Sequence, residues 1–549
     1  MADPHSPTEF SPTEFSPADF PLLIKSLLRT PLQIARDVEI VSDGLARYSY
    51  GDLEDRLKRF ASGLVAQGVT QGDVVAVMDW DTHRYFEAFF AVPMLGAVLH
   101  TINIRLAPAQ IAFTIDHAED DVILVHADFL PLLAEVMKLV TRKVRLILLR
   151  DDPRQVPDTT FDFITSYDDM LATPADGFTF PDFDERARAT TFYTTGTTGE
   201  PKAVAYTHRQ LVLHTMGILA GFGPVETDNR FHRGDVYMPL TPMFHVHAWG
   251  FPYAATLLGI KQIYPGRYVP ANLLRLIDDE GVTFTHCVPT ILQMLLAAPE
   301  VAEADLGRLK MVIGGSALPK GLAAAAMGWG IDIYAGYGLS ETCPALSFAH
   351  LDPADPGNLE ARVMTGRPLP LVDLKIVDEA MDEQPRDAKS TGEVVVRAPW
   401  LNAAYLKSPE ATEALWRGGF MHTGDVGHID ADGSLMITDR MKDVIKSGGE
   451  WVSSLELESL ASAVDGVVEV AAIGVPDPKW GERPLMLVVA DDNVDRPDIS
   501  AGITAAVAGA IIAGHLPKWA TPDEIRFVDE IAKTSVGKID KKAIRAELD

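Results

Sequence analysis

Residues 190–202 read Thr-Thr-Phe-Tyr-Thr-Thr-Gly-Thr-Thr-Gly-Glu-Pro-Lys, which is the strongest local signal in this chain of 549 residues. Its two glycines let backbone N–H groups approach an anion closely, while its threonines offer hydroxyl donors and its lysine a positive charge. The segment therefore predicts a phosphate-holding loop, with an ordinary Thr/Gly-rich turn as the alternative. It differs from the P-loop of triphosphatases, because the lysine follows Pro201 and no serine or threonine comes next. The candidate phosphate ligands are Thr194, Thr195, Gly196, Thr197, Thr198, Gly199 and Lys202.

Four further segments follow this loop in order along the chain. They are Gly336–Thr342 (GYGLSET), Thr423–Asp425 (TGD), Thr438–Gly449 (TDRMKDVIKSGG) and Lys533–Lys538 (KTSVGK). Together with the loop, they resemble the adenylate-forming superfamily, which comprises acyl-CoA synthetases, luciferases and the adenylation domains of peptide synthetases. The resemblance extends over roughly residues 25–545, and five motifs in this order and spacing make it specific.

The resemblance implies an ATP site. The loop would hold the β- and γ-phosphates, with Lys202 mobile. Tyr337 would stack on adenine, since an aromatic face suits a purine. Asp425 would accept hydrogen bonds from the ribose hydroxyls, and Arg440 would hold the same side of the ribose. The implied nucleotide contacts beyond the loop are Gly336, Tyr337, Gly338, Thr342, Asp425 and Arg440.

The resemblance also implies how the site would activate a carboxylic acid. The acid's carboxylate and the α-phosphate of ATP repel each other, so the Lys538 ammonium placed between them would stabilise the transition state. Glu341 would bind Mg²⁺, a hard cation that prefers carboxylate oxygen, and Thr342 would hydrogen-bond the α-phosphate. The implied catalytic residues are Lys538, Thr342, Glu341 and His245.

The segment Met243–Tyr253 (MFHVHAWGFPY) corresponds to the lining of the acid pocket in this superfamily. Peptide-synthetase domains place an aspartate after the phenylalanine to pair with an α-amino group, whereas this chain has His245. An unpaired ammonium in an apolar pocket is costly, so amino acids are poor candidate substrates. The pattern is similar to aliphatic acyl-CoA synthetases, with His245 near the carboxylate and Trp249 gating or flooring the pocket; core packing is the alternative for Trp249. The expected lining residues are His245, Val246, Trp249, Gly314, Ser316, Ala317, Leu339, Cys343 and Pro344.

The hydrophobic pattern predicts a layered α/β protein with a smaller C-terminal domain. Short apolar runs at 122–125 and 144–149, separated by helical patterns, indicate buried strands. Ser49–Asp52 resembles a capping box at the start of a helix. Together with the resemblance, this implies a large N-terminal domain, with α/β subdomains and a β-barrel-like portion, followed by a small α+β domain that the resemblance makes mobile. The predicted divisions are a disordered tail of SPTEF-like repeats at 1–20, an ATP- and acid-binding domain at 21–441 and a mobile domain at 442–549.

The small domain has its own predicted elements and roles. Its pattern predicts a helix at 454–463, strands near 467–475 and 485–490, and a helix at 501–514. The resemblance makes Lys442 the hinge about which this domain turns between two half-reactions. It also assigns the passage of the pantetheine arm of CoA to the small residues Ser447, Gly448 and Gly449.

Composition excludes several classes of function. The formal net charge is −29, which disfavours generic nucleic-acid binding and attraction to an anionic membrane. No apolar run is long enough to span a membrane, and the N-terminus lacks a secretory signal. The two cysteines, Cys287 and Cys343, form no metal motif and suit a reducing compartment, so a cytoplasmic location is expected. The oligomeric state stays open, with a homodimer as one option.

The predicted function is an ATP-dependent, AMP-forming carboxylic acid:CoA ligase that uses ATP, Mg²⁺ and CoA. The expected substrate is an aliphatic short- to medium-chain acid, including methylthio- and hydroxy-substituted acids. The alternatives are a long-chain or aryl acid:CoA ligase, an acyl-AMP ligase that loads a carrier protein, and a catalytically silent nucleotide-binding protein. All five key motif residues are present, which argues against the last; a phosphotransferase would release ADP instead of AMP and pyrophosphate.

Overall fold

The computed structural model describes residues 20–194, 200–225, 230–447, 450–491, 493–514, 516–534 and 537–548. The repeat tail therefore lies outside the described residues, except for Phe20. Among the helices of the described residues, none combines the length and apolar character that a membrane crossing requires.

The first part of the chain alternates strands and helices. Its strands are β1 Glu39–Ser42, β2 Ala46–Ser49, β3 Val74–Met78, β4 Val98–Thr101, β5 Val122–His126, β6 Arg145–Leu149, β7 Thr165–Ser166, β8 Arg188–Thr194, β9 Lys202–Thr207 and β10 Val236–Pro239. Its helices are α1 Arg29–Ile34, α2 Tyr50–Ala66, α3 His83–Met94, α4 Pro108–Ala118, α5 Leu130–Met137, α6 Tyr167–Ala172, α7 His208–Phe222, α8 Val246–Trp249 and α9 Phe251–Leu258.

The alternation continues through the middle of the chain and then gives way to strands. The strands are β11 Lys261–Tyr264, β12 Phe284–Cys287, β13 Lys310–Ile313, β14 Asp332–Gly338, β15 Ala345–Phe348, β16 Arg367–Pro368, β17 Asp373–Val377, β18 Gly392–Arg397, β19 Met421–Ile429 and β20 Leu435–Arg440. The helices are α10 Pro270–Glu280, α11 Pro289–Leu296, α12 Lys320–Gly328, α13 Leu359–Val363 and α14 Pro409–Leu415.

The C-terminal part is a compact α+β unit. Its strands are β21 Ile445–Ser447, β22 Glu450–Val452, β23 Val467–Asp477, β24 Gly481–Ala490 and β25 Glu524–Phe527, and its helices are α15 Ser454–Ser462, α16 Arg496–Ile512 and α17 Lys541–Leu548. The chain's short 3-10 helices are Ile24–Leu28, Ala127–Phe129, Pro299–Glu303, Ser340–Thr342, Arg417–Gly419 and Lys518–Ala520.

Within the described residues, the strands form four sheets. The first has the order β7-β6-β5-β3-β4-β8-β9 and is parallel except for β9. The second, β16-β15-β14-β13-β12-β10-β11-β1-β2, is parallel from β14 to β1 and antiparallel at both ends. The third is the antiparallel β17-β18-β19-β20, and the fourth contains β21 to β25.

The sequence patterns explain this layering. Ser49 and Asp52 form the expected capping box, so α2 begins at Tyr50. Strand β3 is buried along its whole length, as a parallel strand covered on both faces must be. Helix α3 is buried in full and contacts β3 and β4 of the first sheet and β1 of the second, so it lies between the two layers.

The predicted fold class is confirmed, with differences at element ends. The β-rich portion is the third sheet, and a bridge between Gly366 and Leu435 ties it to the chain beside β16. The hairpin of β23 and β24 pairs as far as Asp477 and Gly481, so both strands are longer than predicted. Helix α16 begins at Arg496, five residues before the predicted start, because Pro497 is well tolerated in a first helical turn.

A buried polar cluster joins the third sheet to the C-terminal unit. Asp439 of β20 accepts hydrogen bonds from the backbone N and the Oγ of Ser454, at 2.6 and 2.7 Å. The Ser454 hydroxyl also contacts Lys541 Nζ at 2.5 Å, and that ammonium pairs with Glu458 at 2.7 Å. The cluster therefore connects the last strand before the predicted hinge to the first helix after it.

Candidate active site

A cavity opens at the carboxyl ends of the parallel strands of the second sheet. In open α/β sheets, ligands bind in the crevice at this edge. Most of its lining comes from the loops that follow β10, β13 and β14. The lining residues are His245, Val246, Trp249, Phe251, Val312, Gly314, Gly315, Gly336, Tyr337, Gly338, Leu339, Ser340, Pro344, Ala345, Phe348 and Lys538.

One wall of the cavity is a left-handed turn. The four residues of α8 have φ angles between 46° and 58°, and Gly250 follows with φ 76°. Left-handed backbone at a residue other than glycine costs about 1–3 kcal/mol, so surrounding contacts must hold this turn in place. The turn brings Val246 and Trp249 to the cavity wall, beside His245 at its N-terminal side.

Trp249 lines the cavity and packs against Gly314. A Cβ built at Gly314 would lie 3.2 Å from the indole ring, so the ring rests directly against this glycine. On its other side the indole stacks on His286, with 5.1 Å between ring centroids, and Phe251 stacks on the same imidazole at 4.6 Å. The predicted acid pocket is therefore bounded by an aromatic stack.

Tyr337, which also lines the cavity, belongs to a polar cluster suited to a nucleoside. The Tyr337 hydroxyl donates to Asp425 Oδ2 at 2.7 Å, and Arg440 Nε lies 3.4 Å from Asp425 Oδ1. Asp425 and Arg440 are directly paired across β19 and β20, which fixes their separation. Burial raises the pKa of Asp425 above its ordinary value, although the nearby Arg440 opposes this shift.

Glu341 and Lys202 both lie against Tyr405, a residue outside the five motifs. The Tyr405 hydroxyl donates to Glu341 Oε1 at 2.7 Å, and Lys202 Nζ lies 4.9 Å from the centre of the Tyr405 ring. The Asn402 N–H donates to the backbone oxygen of Glu341 at 2.8 Å. Tyr405 comes from an unremarkable loop far along the chain, so only the fold brings it to the site.

Thr342 is fully buried, and its hydroxyl is engaged within its own loop. Its Oγ accepts from the Leu339 N–H at 2.8 Å and bonds the carbonyl oxygen of Pro344. The structure thus gives Thr342 a part in shaping the loop between Leu339 and Pro344. To donate to a phosphate oxygen, this hydroxyl would have to give up the bond that it donates to the Pro344 carbonyl, while it could still accept from the Leu339 N–H.

Lys538 reaches the cavity from the C-terminal unit. Thr290 Oγ1 of α11 donates to the Gly537 carbonyl oxygen at 2.9 Å and so docks the loop that carries this lysine. The Cε and Nζ atoms of Lys538 lie 3.1 and 3.5 Å from a Cβ built at Gly315. Burial and the nearby Arg440 lower the pKa of Lys538 to about 8, while the Asp425 and Glu341 carboxylates act in the opposite direction.

His245 stands in the same cavity as an uncharged imidazole. Burial lowers its pKa to about 3, and the positive charges of Lys538 and Arg105 add to the effect. Near neutral pH this side chain offers one ring N–H donor and one ring nitrogen acceptor. Among the residues that line the cavity, the positive charge therefore comes from Lys538 and not from His245.

Three of the residues predicted to line the acid pocket do not line this cavity. Ser316 and Ala317 are exposed, Cys343 is wholly buried, and none of these three lines the cavity.

The structure describes only some of the other predicted site residues. Lys442 is exposed, and Ser447 is buried with its Oγ accepting from Arg483 at 3.1 Å. Thr194 ends β8 beside Lys202. The predicted ligands outside the described residues are Thr195, Gly196, Thr197, Thr198, Gly199, Gly448 and Gly449.

Comparison with known proteins gives the family. Residues 30–406 match the AMP-binding enzyme family, and residues 456–538 match the AMP-binding enzyme C-terminal domain. The chain belongs to the AMP-binding enzyme family. The resemblance inferred from the five motifs is thereby confirmed, and with it the expectation that the chain is an enzyme of the adenylate-forming superfamily.

Several known proteins can be aligned with nearly the whole length of this AMP-binding enzyme. A long-chain-fatty-acid–CoA ligase of Thermus thermophilus is 40% identical over 91% of this chain and 90% of its own length. A 3-methylmercaptopropionyl-CoA ligase of Ruegeria lacuscaerulensis is 36% identical over 96% of this chain and 97% of its own. The crystal structure of an anthranilate CoA ligase in complex with anthranoyl-AMP shares the fold, with a TM-score of 0.83 at 23% identity over 97% of this chain and 99% of that one.

Proposed function

We propose that this AMP-binding enzyme is an ATP-dependent, AMP-forming carboxylic acid:CoA ligase. In the first step, acid and ATP give an acyl-adenylate and pyrophosphate; in the second, the CoA thiol takes the acyl group and AMP leaves. One observation carries the proposal: Lys538 shares a cavity with Tyr337 on the nucleoside side and with His245 and Trp249 on the acid side. The curated relatives support this class, because both are named CoA ligases.

The geometry suggests how the first step proceeds. A carboxylate oxygen attacks the α-phosphorus of ATP, and the bond from that phosphorus to the pyrophosphate oxygen breaks. The Lys538 ammonium offsets the repulsion between the two anions and the charge that develops on the phosphate oxygens. Tyr337, Asp425 and Arg440 hold the nucleoside, and the neutral His245 donates or accepts one hydrogen bond beside the carboxylate.

Glu341 fits a role in holding Mg²⁺. Its carboxylate is fixed by the Tyr405 hydroxyl, which leaves lone pairs free for a cation. The described residues contain no group of three or more acidic, histidine or cysteine side chains arranged for a metal. Mg²⁺ commonly takes one or two carboxylates and completes its shell with water and substrate phosphates, so the Glu341 carboxylate is a suitable protein ligand. When bound, the ion would neutralise phosphate charge.

The C-terminal unit offers a surface suited to the nucleotide end of CoA. Trp480 and Trp519 lie against each other with ring centroids 4.9 Å apart. Lys479 Nζ lies 4.4 Å from the Trp480 ring and Lys518 Nζ 4.5 Å from the Trp519 ring. Aromatic faces beside exposed cations suit an adenine that carries phosphates. This platform adjoins Ser447, whose strand pairs with Gly481, and so supports CoA delivery along the predicted 447–449 segment.

We infer from the aromatic stack that the substrate is an aliphatic acid of short to medium length. Trp249→Ala should therefore shift the preference towards longer acids, because removing the indole opens the end of the pocket beside Gly314. Each additional methylene that finds space there is worth about 10-fold or more in kcat/KM. The measurement is kcat/KM over straight-chain acids, with the partly exposed Trp329→Ala as control; an unchanged profile would leave Trp249 a packing residue only.

The function itself is tested by pyrophosphate release with purified wild-type protein. The acids should run from two to sixteen carbons and include aryl, methylthio- and hydroxy-substituted acids, each with and without CoA. Acid-dependent release with CoA-dependent turnover and stoichiometric AMP is the expected result. Release that is indifferent to CoA but stimulated by a carrier-protein thiol would support the carrier-loading alternative, and no release with any acid would refute the proposal. A cytoplasmic location and a homodimer stay predictions.

A further inference from the structure

Asp81 holds the backbone on the N-terminal side of the strained turn α8. The backbone N–H of Met243 donates to Asp81 Oδ1 at 2.9 Å, and the Tyr268 hydroxyl donates to Asp81 Oδ2 at 2.5 Å. Both carboxylate oxygens are thus engaged, and the residue is only 6% exposed. Asp81 does not line the cavity, so its influence on a ligand must pass through the loop that it binds.

Asp81 occupies a junction between the two large sheets. It follows β3 of the first sheet, whereas Met243 follows β10 and Tyr268 follows β11 of the second. The Gly266 N–H also donates to the Asp81 carbonyl oxygen at 2.9 Å. One residue of the first sheet therefore fixes two loops of the second sheet.

A second side chain from the first sheet holds the next residue of the same loop. Thr101, at the end of β4, donates its hydroxyl to the Phe244 carbonyl oxygen at 2.9 Å. On the C-terminal side, the His214 ring lies 2.9 Å from a Cβ built at Gly250. Asp81 and Thr101 thus hold the backbone immediately before His245, and the His214 ring packs against the other side of the turn at Gly250.

We propose that Asp81 is a positioning residue that sets acid affinity and selectivity by fixing Met243, and through it the placement of His245 and Trp249. The inference rests on the proposed ligase function. The carboxylate is matched to this task because it can accept from two separate donors at once. An asparagine at this position would present one oxygen and one NH₂ group, so either Met243 N–H or the Tyr268 hydroxyl would lose its acceptor.

The test compares Asp81→Asn, Asp81→Ala and Thr101→Val with wild type in acid-dependent pyrophosphate release. We expect Asp81→Asn to raise KM for the preferred acid about 10-fold and Asp81→Ala to lower kcat/KM for it by about 10²-fold, since misplacement by about 1 Å can cost that much. Thr101→Val should act in the same direction but more weakly. KM for ATP should stay within about twofold, because the nucleotide contacts lie on other loops.

Asp235→Asn is the matched control. Asp235 is also a buried aspartate, paired with Lys310 at 2.6 Å, but within the described part of the chain its other side-chain partners are the His232 N–H and Thr283, and not the 243–250 loop. The Asp235→Asn variant should have lower thermal stability than wild type but an unchanged KM for the acid. If Asp81→Asn behaves like this control, or raises both Michaelis constants equally, Asp81 is merely structural and the inference is wrong.

Two further outcomes separate the inference from the proposed function. If Asp81→Ala does not fold, Asp81→Asn and Thr101→Val decide the question. A wild-type enzyme that shows no acid-dependent release refutes the ligase proposal and the inference with it. An active wild type with an unchanged acid KM in both milder variants refutes the inference alone.

Discussion

Lys538→Ala should reduce acyl-adenylate formation by about 10²–10³-fold, because it removes the ammonium that offsets repulsion between carboxylate and phosphate. Thioester formation from supplied acyl-adenylate and CoA should change far less, since the acyl–phosphate bond already exists in that substrate. The measurements are single-turnover pyrophosphate release for the first step and acyl-CoA formation from the adenylate for the second. Equal loss in both steps would contradict the assigned role.

The pH profile gives a second check on the same lysine. Its pKa is lowered to about 8, so the charged form predominates below that pH and is lost as the pH rises through it. In the wild type, kcat/KM for adenylation should therefore fall above about pH 8, since this parameter reports ionisations of the free enzyme. Lys538→Arg should lack this fall, because guanidinium stays charged throughout the range. A fall that persists in Lys538→Arg would assign it to another group.

Gly537→Ala should be nearly as harmful to adenylation as loss of the lysine itself. Gly537 has φ 82°, and a Cβ there would meet Thr290 Oγ1 at 2.8 Å. The collision would displace the loop from α11 and carry Lys538 away from its position beside Gly315. Displacing a catalytic group by about 1 Å can cost about 10²-fold in rate. The assay is single-turnover pyrophosphate release, as for Lys538→Ala.

Gly514→Ala is the matched control for this change. Gly514 also belongs to the C-terminal unit and has φ 79°, but a Cβ there has nothing within 4 Å. Both variants suffer similar backbone strain, and only Gly537→Ala disturbs the docking contact. Thr290→Val, which removes the hydroxyl that holds the Gly537 carbonyl, should show a weaker loss of the same kind. Similar activity in the two glycine variants would mean that docking through Thr290 is unimportant.

The sequence predicted those features that short segments encode. The capping box before α2 depends on residues three apart, and the buried strand β5 on a run of apolar residues, so both could be inferred locally. The motifs single out Lys538, Asp425 and Arg440 by their residue types; the fold places Lys538 in the cavity wall and joins Asp425 to Arg440 and to the lining residue Tyr337.

Long-range packing accounts for what could not be predicted. Tyr405 bonds Glu341 across 64 residues of chain, and nothing in its local sequence indicates a role. Cys343 is predicted from the sequence to complete the pocket wall, but its side chain is wholly buried in the hydrophobic core and does not line the cavity. The hydrogen bond from the Met243 N–H to Asp81 spans 162 residues of chain, so it depends on how the two large sheets pack and on no local pattern.

The polar cluster of Asp439, Ser454, Glu458 and Lys541 affects how fast the C-terminal unit could change its orientation. If the C-terminal unit turns at Lys442, Asp439 and Ser454 lie on opposite sides of the pivot and must part. Separating buried partners of this kind costs about 3–5 kcal/mol unless water or new partners replace them. Such a barrier would give each orientation a defined dwell time instead of free swinging. The rate at which this cluster opens would then set how long an acyl-adenylate waits before it meets the thiol.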